Sequence, residues 1–173
     1  ALNMLKDYIE VGEVKSNLEW KGESDFPGTQ YIGIKTTCRI DKMDEAMPDD
    51  FAKIELLIKN NEALATGAAY SIYHNWDIVK RQATYTACVG VTSIPEDLPE
   101  DFVSGEIPAT RVYTLRHTGK YDHLGNAWST MMAMARGKEF KTKRGIHPWE
   151  QYITNPQETE SDAHITDVVF AIK

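Results

Sequence analysis

The second half of this chain repeats the pattern of its first half, and this repeat restricts the possible folds more than any other feature. Residues 67–76 align with residues 145–155, and each segment follows a predicted helix and precedes a further predicted strand. A duplication of this kind predicts two similar halves around a pseudo-twofold axis, with a cleft between them. The alignment places Ser71 opposite Glu150. One half therefore offers a carboxylate and the other a hydroxyl, and we expect the function to depend on that difference.

The first repeat, residues 29–92, has the predicted order β-α-β-β. Its strands are predicted at residues 30–40, 68–74 and 82–92 and its helix at residues 51–64. Pro48, Asp49 and Asp50 are typical of a helix start, and Gly67 marks the helix exit. The apolar residues of the helix recur at helical spacing, which predicts an amphipathic helix.

The second repeat, residues 110–173, has the same predicted order. It follows a connector at residues 93–109 that is rich in proline and acidic side chains. Its strands are predicted at residues 110–117, 148–154 and 163–172 and its helix at residues 121–136. Two β-α-β-β units predict an α+β domain with mainly antiparallel strands and both helices on one face.

Residues 1–28 precede the repeats and are predicted to form an N-terminal helix or tether. Leu2, Leu5, Tyr8 and Ile9 have helical spacing, and the charged residues that follow end in a turn signal at Pro27. We interpret this segment as part of a fused or associated upstream domain or as the terminus of a stand-alone protein. No secretion signal is recognisable, so the expected location is the cytoplasm.

The composition is that of an ordinary soluble globular chain, and it argues against several partners. The formal net charge is −7, and direct binding of nucleic acid needs clustered Lys and Arg instead. The basic residues within 136–144 are explained by a helix end and a solvated loop. No apolar run approaches the roughly 20 residues of a membrane span. Cys38 and Cys88 lie in apolar runs, which indicates buried thiols in a reducing compartment, and no metal or cofactor is expected.

Three short motifs of the second repeat stand out by their order. They are His117-x-Gly119-x-Tyr121 after a strand, Trp149-Glu-x-Tyr152 followed by Asn155-Pro156, and a final strand at residues 166–173. Together with the repeat, they resemble the GyrI-like family from about residue 30 to the end of the chain. This family includes the effector-binding domains of AraC-type and multidrug-responsive transcription regulators.

The resemblance implies a pair of β-α-β-β modules with a central cleft for small molecules. In the family these ligands are often lipophilic cations, held by aromatic rings around a glutamate on the second-repeat strand. That glutamate corresponds to Glu150. The DNA-binding parts of the family's regulators have no counterpart in this sequence, because no segment has the pattern of a helix-turn-helix.

Strand alternation predicts which side chains accompany Glu150. Alternate side chains of a strand share a face, so Tyr152 points the same way as Glu150, and Ser71 and Tyr73 take the corresponding positions in the first repeat. The remaining candidates for ligand contact are Tyr113, Trp128 and Trp149. Trp149 stands on the opposite strand face, where core packing is an equally good interpretation. A carboxylate among rings suits a lipophilic cation, since each cation–π contact contributes ~0.5–2 kcal/mol, and a neutral ligand would leave the carboxylate unpaired.

Catalytic motifs are scarce in this sequence. It contains no G-x-S-x-G elbow, no H-E-x-x-H and no phosphate-binding loop. His117 is expected to be a structural residue that bonds backbone at its strand end. Three hypotheses remain open: a binding domain for small lipophilic cations with Glu150 as counter-ion, a hydrolase of electrophilic small molecules that uses Glu150 as general base, and a module that binds or inhibits another protein.

Overall fold

The computed structural model describes residues 6, 8–10, 15–59 and 64–173. Its strands are β1 (Ser16–Phe26), β2 (Thr29–Arg39), β3 (Ala65–Asp77), β4 (Gln82–Val91), β5 (Val103–Ile107), β6 (Thr110–Gly119), β7 (Trp149–Tyr152) and β8 (Ile165–Ala171). Its two long helices are α1 (Met43–Lys59) and α2 (Gly125–Gly137), and short 3-10 turns cover Ile40–Lys42, Tyr121–His123 and Ser161–Ala163. The predicted helix of residues 1–13 lies largely outside the described residues, of which residues 6 and 8–10 are helical. Residues 60–63, at the end of the first predicted helix, also lie outside them.

The predicted α+β class is confirmed. All six strands and both helices expected from the two repeats are present, and each half has the order β-α-β-β. The strand pairs β2–β4, β2–β5, β3–β4 and β6–β8 are antiparallel.

The chain divides into two compact units. Unit 1 takes Ala1–Asp25, Arg111–Arg144 and Glu150–Lys173, and unit 2 takes Phe26–Thr110 and Gly145–Trp149. In unit 2 the strands are ordered β3-β4-β2-β5, and in unit 1 they are ordered β1-β6-β8-β7. Each unit therefore places the last strand of its β-α-β-β run between the other two.

Two strands were missed by sequence reasoning. β1 lies inside the segment assigned to a helix or tether, where charged residues hide the alternation of a strand that is exposed along most of its length. β5 lies inside the predicted connector, and it is only five residues long. A Cβ at its Gly105 would lie 2.5 Å from Tyr31 Oη, so a larger residue there would have to displace the tyrosine ring.

Helix α1 starts earlier than predicted. It begins at Met43, five residues before Pro48, so the proline lies inside the helix and not at its start. Proline keeps a helical φ and loses only one backbone hydrogen bond, which packing on the strands offsets. The earlier start changes the position of Asp50, which moves from a solvated first turn to the buried face of the helix.

Each unit has its own apolar core. In unit 1, α2 packs on β8 through the buried residues Leu115, Leu124, Ala127, Met131, Met134, Phe140, Val168, Phe170 and Ile172. In unit 2, α1 packs on β2 and β4 through Ile34, Met43, Ile54, Ala83, Tyr85 and Ala87. Removing such apolar area from water contributes roughly 25 cal/mol per Å² to each core.

Candidate functional site

Glu150 is a buried carboxylate in unit 1. Its side chain lies on β7, and only 3% of the residue is exposed. Trp128 Nε1 donates a hydrogen bond of 2.6 Å to Oε1, and Tyr152 Oη donates one of 2.7 Å to Oε2. Both donors are neutral, so they replace lost water contacts but do not cancel the negative charge.

Local structure brings these three side chains together. Glu150 and Tyr152 are two residues apart on a strand and therefore share a face, as the alternation predicted. Trp128 comes from the first half of α2, on the side of the helix that packs against the unit 1 core. Sequence reasoning named all three residues, and the structure brings them into direct contact.

Tyr121 borders the same carboxylate. Burial, and secondarily the charge of Glu150, raise the pKa of Tyr121 to about 12. Its ring meets the edge of the Tyr152 ring at a centroid distance of 5.9 Å and lies 4.6 Å from the ring of His164. Tyr121 is 37% exposed, so it forms the outer border of this group. The sequence motif included Tyr121, but the residue was not predicted to be part of the site. Its position between β6 and α2 was the signal that could have identified it.

A second group of rings continues from Trp128 into the core. The Trp128 and Phe170 rings lie 5.7 Å apart, and Phe140 contacts Phe170 at 6.0 Å. Tyr113, another predicted site residue, stacks on Phe140 at 4.9 Å. Tyr113 is therefore linked to Trp128 through packed rings, although no hydrogen bond described here joins it to Glu150.

The sequence also matches a family of binding domains over residues 23–173. The description of that family is "GyrI-like small molecule binding domain". This chain belongs to the GyrI-like family. A search of curated protein sequences found no match.

Solved structures share the GyrI-like fold of this chain. EcmrR, in a cryo-EM structure with DNA in EcmrR-RPo, is 18% identical with a TM-score of 0.73, over 99% of this chain and 63% of EcmrR. The crystal structure of the EcmrR C-terminal domain is 18% identical with a TM-score of 0.68, over 91% of this chain and 98% of that domain. This chain thus spans less than two thirds of the longer EcmrR chain.

Two further relatives differ in what they are described as doing. SAV2435, solved bound to tetraphenylphosphonium, is 13% identical with a TM-score of 0.61, over 90% of this chain and 94% of that chain. A hydrolase encoded by lin2189 from Listeria innocua is 9% identical with a TM-score of 0.54, over 98% of this chain and 97% of that chain. At these identities the likeness shows a shared fold.

The other predicted site residues of this GyrI-like domain lie in unit 2. Ser71 is fully buried, and its hydroxyl donates to Met47 Sδ at 3.4 Å. Tyr73 is half-buried, packs against the unit 2 core and lies 6.3 Å from the Trp76 ring. Trp149 is fully buried with its ring 5.1 Å from that of Phe26.

Unit 2 contains a buried carboxylate of its own, which sequence reasoning missed. Asp50 on α1 is 6% exposed and accepts hydrogen bonds from Thr36 Oγ1 at 2.7 Å and Tyr85 Oη at 2.9 Å. Burial, followed by the hydrogen bond to Asp50 and its charge, raises the pKa of Tyr85 strongly. The sequence signal for a buried Asp50 was its helical spacing from three apolar residues. Met43, Met47, Asp50 and Ile54 lie on one stripe of the helix, and only Asp50 among them is charged.

Two histidines are held neutral by their surroundings. His117 is fully buried, its Nε2 forms a 3.0 Å hydrogen bond with Ser16 Oγ, and burial, with the nearby His123, lowers its pKa to about 4. The expected bond to backbone was therefore wrong, because β1 supplies a hydroxyl. Burial, with His147 and Lys35 nearby, likewise lowers the pKa of His74 to about 4.

The two cysteines differ in burial. Cys88 is buried, as predicted, whereas Cys38 is only half-buried. Over residues 15–59 and 64–173 there is no group of three or more His, Cys, Asp or Glu side chains that could hold a metal ion. No helix in the described part of the chain is both long enough and apolar enough to cross a lipid bilayer.

Proposed function

We propose that this GyrI-like domain senses a small lipophilic cation and that Glu150 in unit 1 is the counter-ion. The observation that carries this proposal is the 3% exposure of a carboxylate whose hydrogen bonds come from an indole and a phenol. Burying the negative charge of a carboxylate costs free energy, and the two neutral donors Trp128 and Tyr152 do not cancel that charge. A bound cation offsets this cost, and a neutral molecule of the same shape does not.

The surrounding rings support a cation with dispersed charge. Trp128, Tyr152 and Tyr121 present π systems around the carboxylate, and each ring face or edge that meets a cation contributes about 0.5–2 kcal/mol. A quaternary onium ion has no N–H donor, so ring contact and charge are its main means of recognition. The tetraphenylphosphonium bound to SAV2435 has this chemistry, and it is the natural first probe.

A regulatory context is supported by EcmrR. That protein was solved on DNA, and its C-terminal domain has the fold of this chain. We assign to this chain the role of the ligand-sensing part of such a system, and its net charge of −7 is consistent with leaving DNA contact to another segment or protein.

Titration calorimetry with two probes tests the proposal. Tetraphenylphosphonium carries the charge, and triphenylphosphine oxide is a neutral compound with similar rings. Glu150→Gln keeps a side-chain oxygen as acceptor and removes the charge, so we expect at least a tenfold loss of phosphonium affinity, about 1.4 kcal/mol, and no loss for the oxide.

The matched control is Glu158→Gln, because Glu158 is exposed and bonds only within its own loop to Asn155. It should leave phosphonium binding unchanged. Unchanged affinity in Glu150→Gln, with the circular dichroism spectrum preserved, would remove Glu150 as the anchor.

A second function, hydrolysis, is supported by the position of Glu150, a 3% exposed carboxylate that Trp128 and Tyr152 hold in place. In this reaction Glu150 takes a proton from a water molecule, the resulting hydroxide attacks an electrophilic carbon, and the leaving group departs with the bond electrons. A protein from Listeria innocua that is named a hydrolase has the same fold, which supports this alternative. The test is product formation over time. Hydrolysis would be established if product formation vanishes in Glu150→Gln while a neutral substrate analogue still binds. Absence of turnover across a panel of epoxides and activated esters would count against it.

A further inference from the structure

We propose that unit 2 carries a second cation site, at Asp50, and that it takes a primary ammonium ion attached to an apolar group. This site involves none of the residues assigned to Glu150. Its success or failure is therefore independent of the function proposed for unit 1.

The first observation is the position of Asp50 on α1. The buried or half-buried stripe of this helix consists of Met43, Met47, Asp50, Ile54 and Ile58, and it packs against β2 and β4. An apolar side chain at position 50 would bury at no electrostatic cost, whereas a carboxylate loses its water there. A charge in an apolar stripe needs a compensating partner, and within the described part of the chain no ion pair includes Asp50.

The second observation is the geometry of the two hydrogen bonds. Thr36 Oγ1 and Tyr85 Oη both donate to the same oxygen, Oδ2. Thr36 and Tyr85 face each other across β2 and β4, which fixes both hydroxyls on one side of the carboxylate. Among the described side chains, none donates to Oδ1, so this oxygen remains as an acceptor for a ligand.

The third observation is the chemistry of the surroundings. Asp50 and the Tyr85 hydroxyl lie beside a cluster of apolar and soft side chains that includes Met47, Phe51 and Tyr73. Several of them, together with Thr36 and Cys38 on β2, are only half-buried, so parts of these neighbouring side chains reach solvent. The nearby charge of Asp50 also contributes, after burial, to the raised pKa of Cys38, which places the thiol at the same group.

These three observations define the ligand class. An ammonium group has three N–H donors, and Asp50 Oδ1 and the hydroxyl oxygens of Thr36 and Tyr85 are the acceptors at this site. Charge-assisted hydrogen bonds to a buried carboxylate are the strong kind, and they require N–H. A quaternary ammonium lacks these donors, so the Asp50 site discriminates against it, in contrast to the ring-lined site of Glu150.

A matched pair of probes tests the inference on the full chain. Phenethylammonium has the N–H donors, and phenethyltrimethylammonium has the same ring and charge without them. By titration calorimetry we expect Asp50→Asn to weaken phenethylammonium at least tenfold, since Asn keeps an acceptor oxygen and loses the charge. The quaternary probe should be unaffected by this change.

Two further variants complete the design. Asp49→Asn is the control, because Asp49 is the preceding residue on the same helix and is exposed, and it should change nothing. Glu150→Gln is measured in parallel, so that binding of phenethylammonium at the unit 1 carboxylate is separated from binding at Asp50. Equal affinity in Asp50→Asn and wild type, no binding of phenethylammonium by wild type, or a loss seen only in Glu150→Gln would each overturn the proposal.

A measurement on the wild-type protein covers the case in which Asp50→Asn does not fold. In ¹⁵N-edited NMR spectra, phenethylammonium should shift the amide signals of Thr36, Asp50 and Tyr85 in a saturable manner. Shifts confined to β7 and α2, or the absence of saturable shifts, would contradict a site at Asp50.

Discussion

Glu150 in unit 1 and Asp50 in unit 2 are both carboxylates that are more than nine-tenths buried and that accept hydrogen bonds from two neutral side chains. Their construction differs. Glu150 sits on a strand, and its two oxygens each accept one bond, from rings. Asp50 sits on a helix, and one oxygen accepts both bonds, from hydroxyls.

The difference teaches how one kind of charged group can select two kinds of ligand. The rings of Trp128, Tyr152 and Tyr121 lie near Glu150, and in our proposal they favour cations that need no hydrogen bond. Around Asp50 an acceptor oxygen is left, which favours cations that donate. Charge alone is common to both units, and the neighbours of the charge decide what it recognises.

The largest difference between the two units is expected in the free energy of unfolding when each buried carboxylate is removed. Asp50→Ala leaves the hydroxyl of Tyr85, a fully buried residue, without its acceptor, so we expect a loss of about 2–4 kcal/mol in the free energy of unfolding. Glu150→Ala leaves Trp128 and Tyr152, which are half-buried and can reach water, so the loss should be about 1–2 kcal/mol. Urea unfolding measures both, with Asp49→Ala as the exposed control. A larger loss in Glu150→Ala than in Asp50→Ala would reverse the comparison.

Acidification should destabilise both units through one histidine in each. The pKa values of His117 and His74 are lowered to about 4 in the fold, against 6.5 for an unperturbed histidine. Between these values the unfolded chain binds more protons, so stability is full above about pH 6.5 and falls as the pH approaches 4, by at most about 1.4 kcal/mol per pH unit for each imidazole.

Replacement of each histidine by Gln separates the two contributions. His117 is fully buried and His74 is half-buried, so His117→Gln should flatten the pH dependence more. The measurement is the free energy of unfolding at several pH values between 4 and 7. If the free energy of unfolding depends on pH in both variants as it does in the wild type, other groups cause the loss of stability in acid.

A smaller effect is expected on the ionisation of Tyr121. Burial is the main cause of its pKa of about 12, and the charge of Glu150 is the lesser cause. Glu150→Gln should therefore lower this pKa only in part, whereas Tyr121 would return to its ordinary range if the charge were dominant. Alkaline titration of tyrosinate absorption, with Tyr121→Phe to assign the transition, distinguishes these outcomes.

The smallest effect is expected at Ser71, the residue that the repeat places opposite Glu150. Its hydroxyl donates to a thioether, a weak acceptor, so Ser71→Ala should lower stability by about 1 kcal/mol or less. Because Ser71 is fully buried, the affinity for tetraphenylphosphonium should not change. A clear loss of affinity measured by calorimetry would restore Ser71 as a ligand contact.

The sequence predicted most of the fold because strands and helices of the repeats have clear periodicity. It also predicted the group of Glu150, Tyr152 and Trp128, since strand alternation fixes two of these side chains and the helix brings the third. β1 was not recognised because most of its side chains are exposed and few are apolar, so its alternating charged residues do not stand opposite a continuous apolar face.

Asp50 was missed for a different reason. Pro48 suggested a helix start, which assigns the acidic residues after it to a solvated first turn. The helix in fact begins at Met43 because packing on β2 and β4 outweighs the hydrogen bond that proline removes. A two-turn error in one helix boundary therefore hid a buried charge, and only tertiary contacts could reveal it.

Of the four tryptophans in the chain, Trp128 alone donates its indole N–H to Glu150, while Trp149 is shielded and Trp20 and Trp76 are about half-exposed. Indole emission responds to the field and the hydrogen bond at this nitrogen, and water-borne quenchers reach the exposed rings first. With Trp20 and Trp76 replaced by Phe, emission comes from Trp128 and the shielded Trp149 alone. A ligand that binds at Glu150, as we propose, would change the Trp128 part of this emission and could be followed without any attached dye.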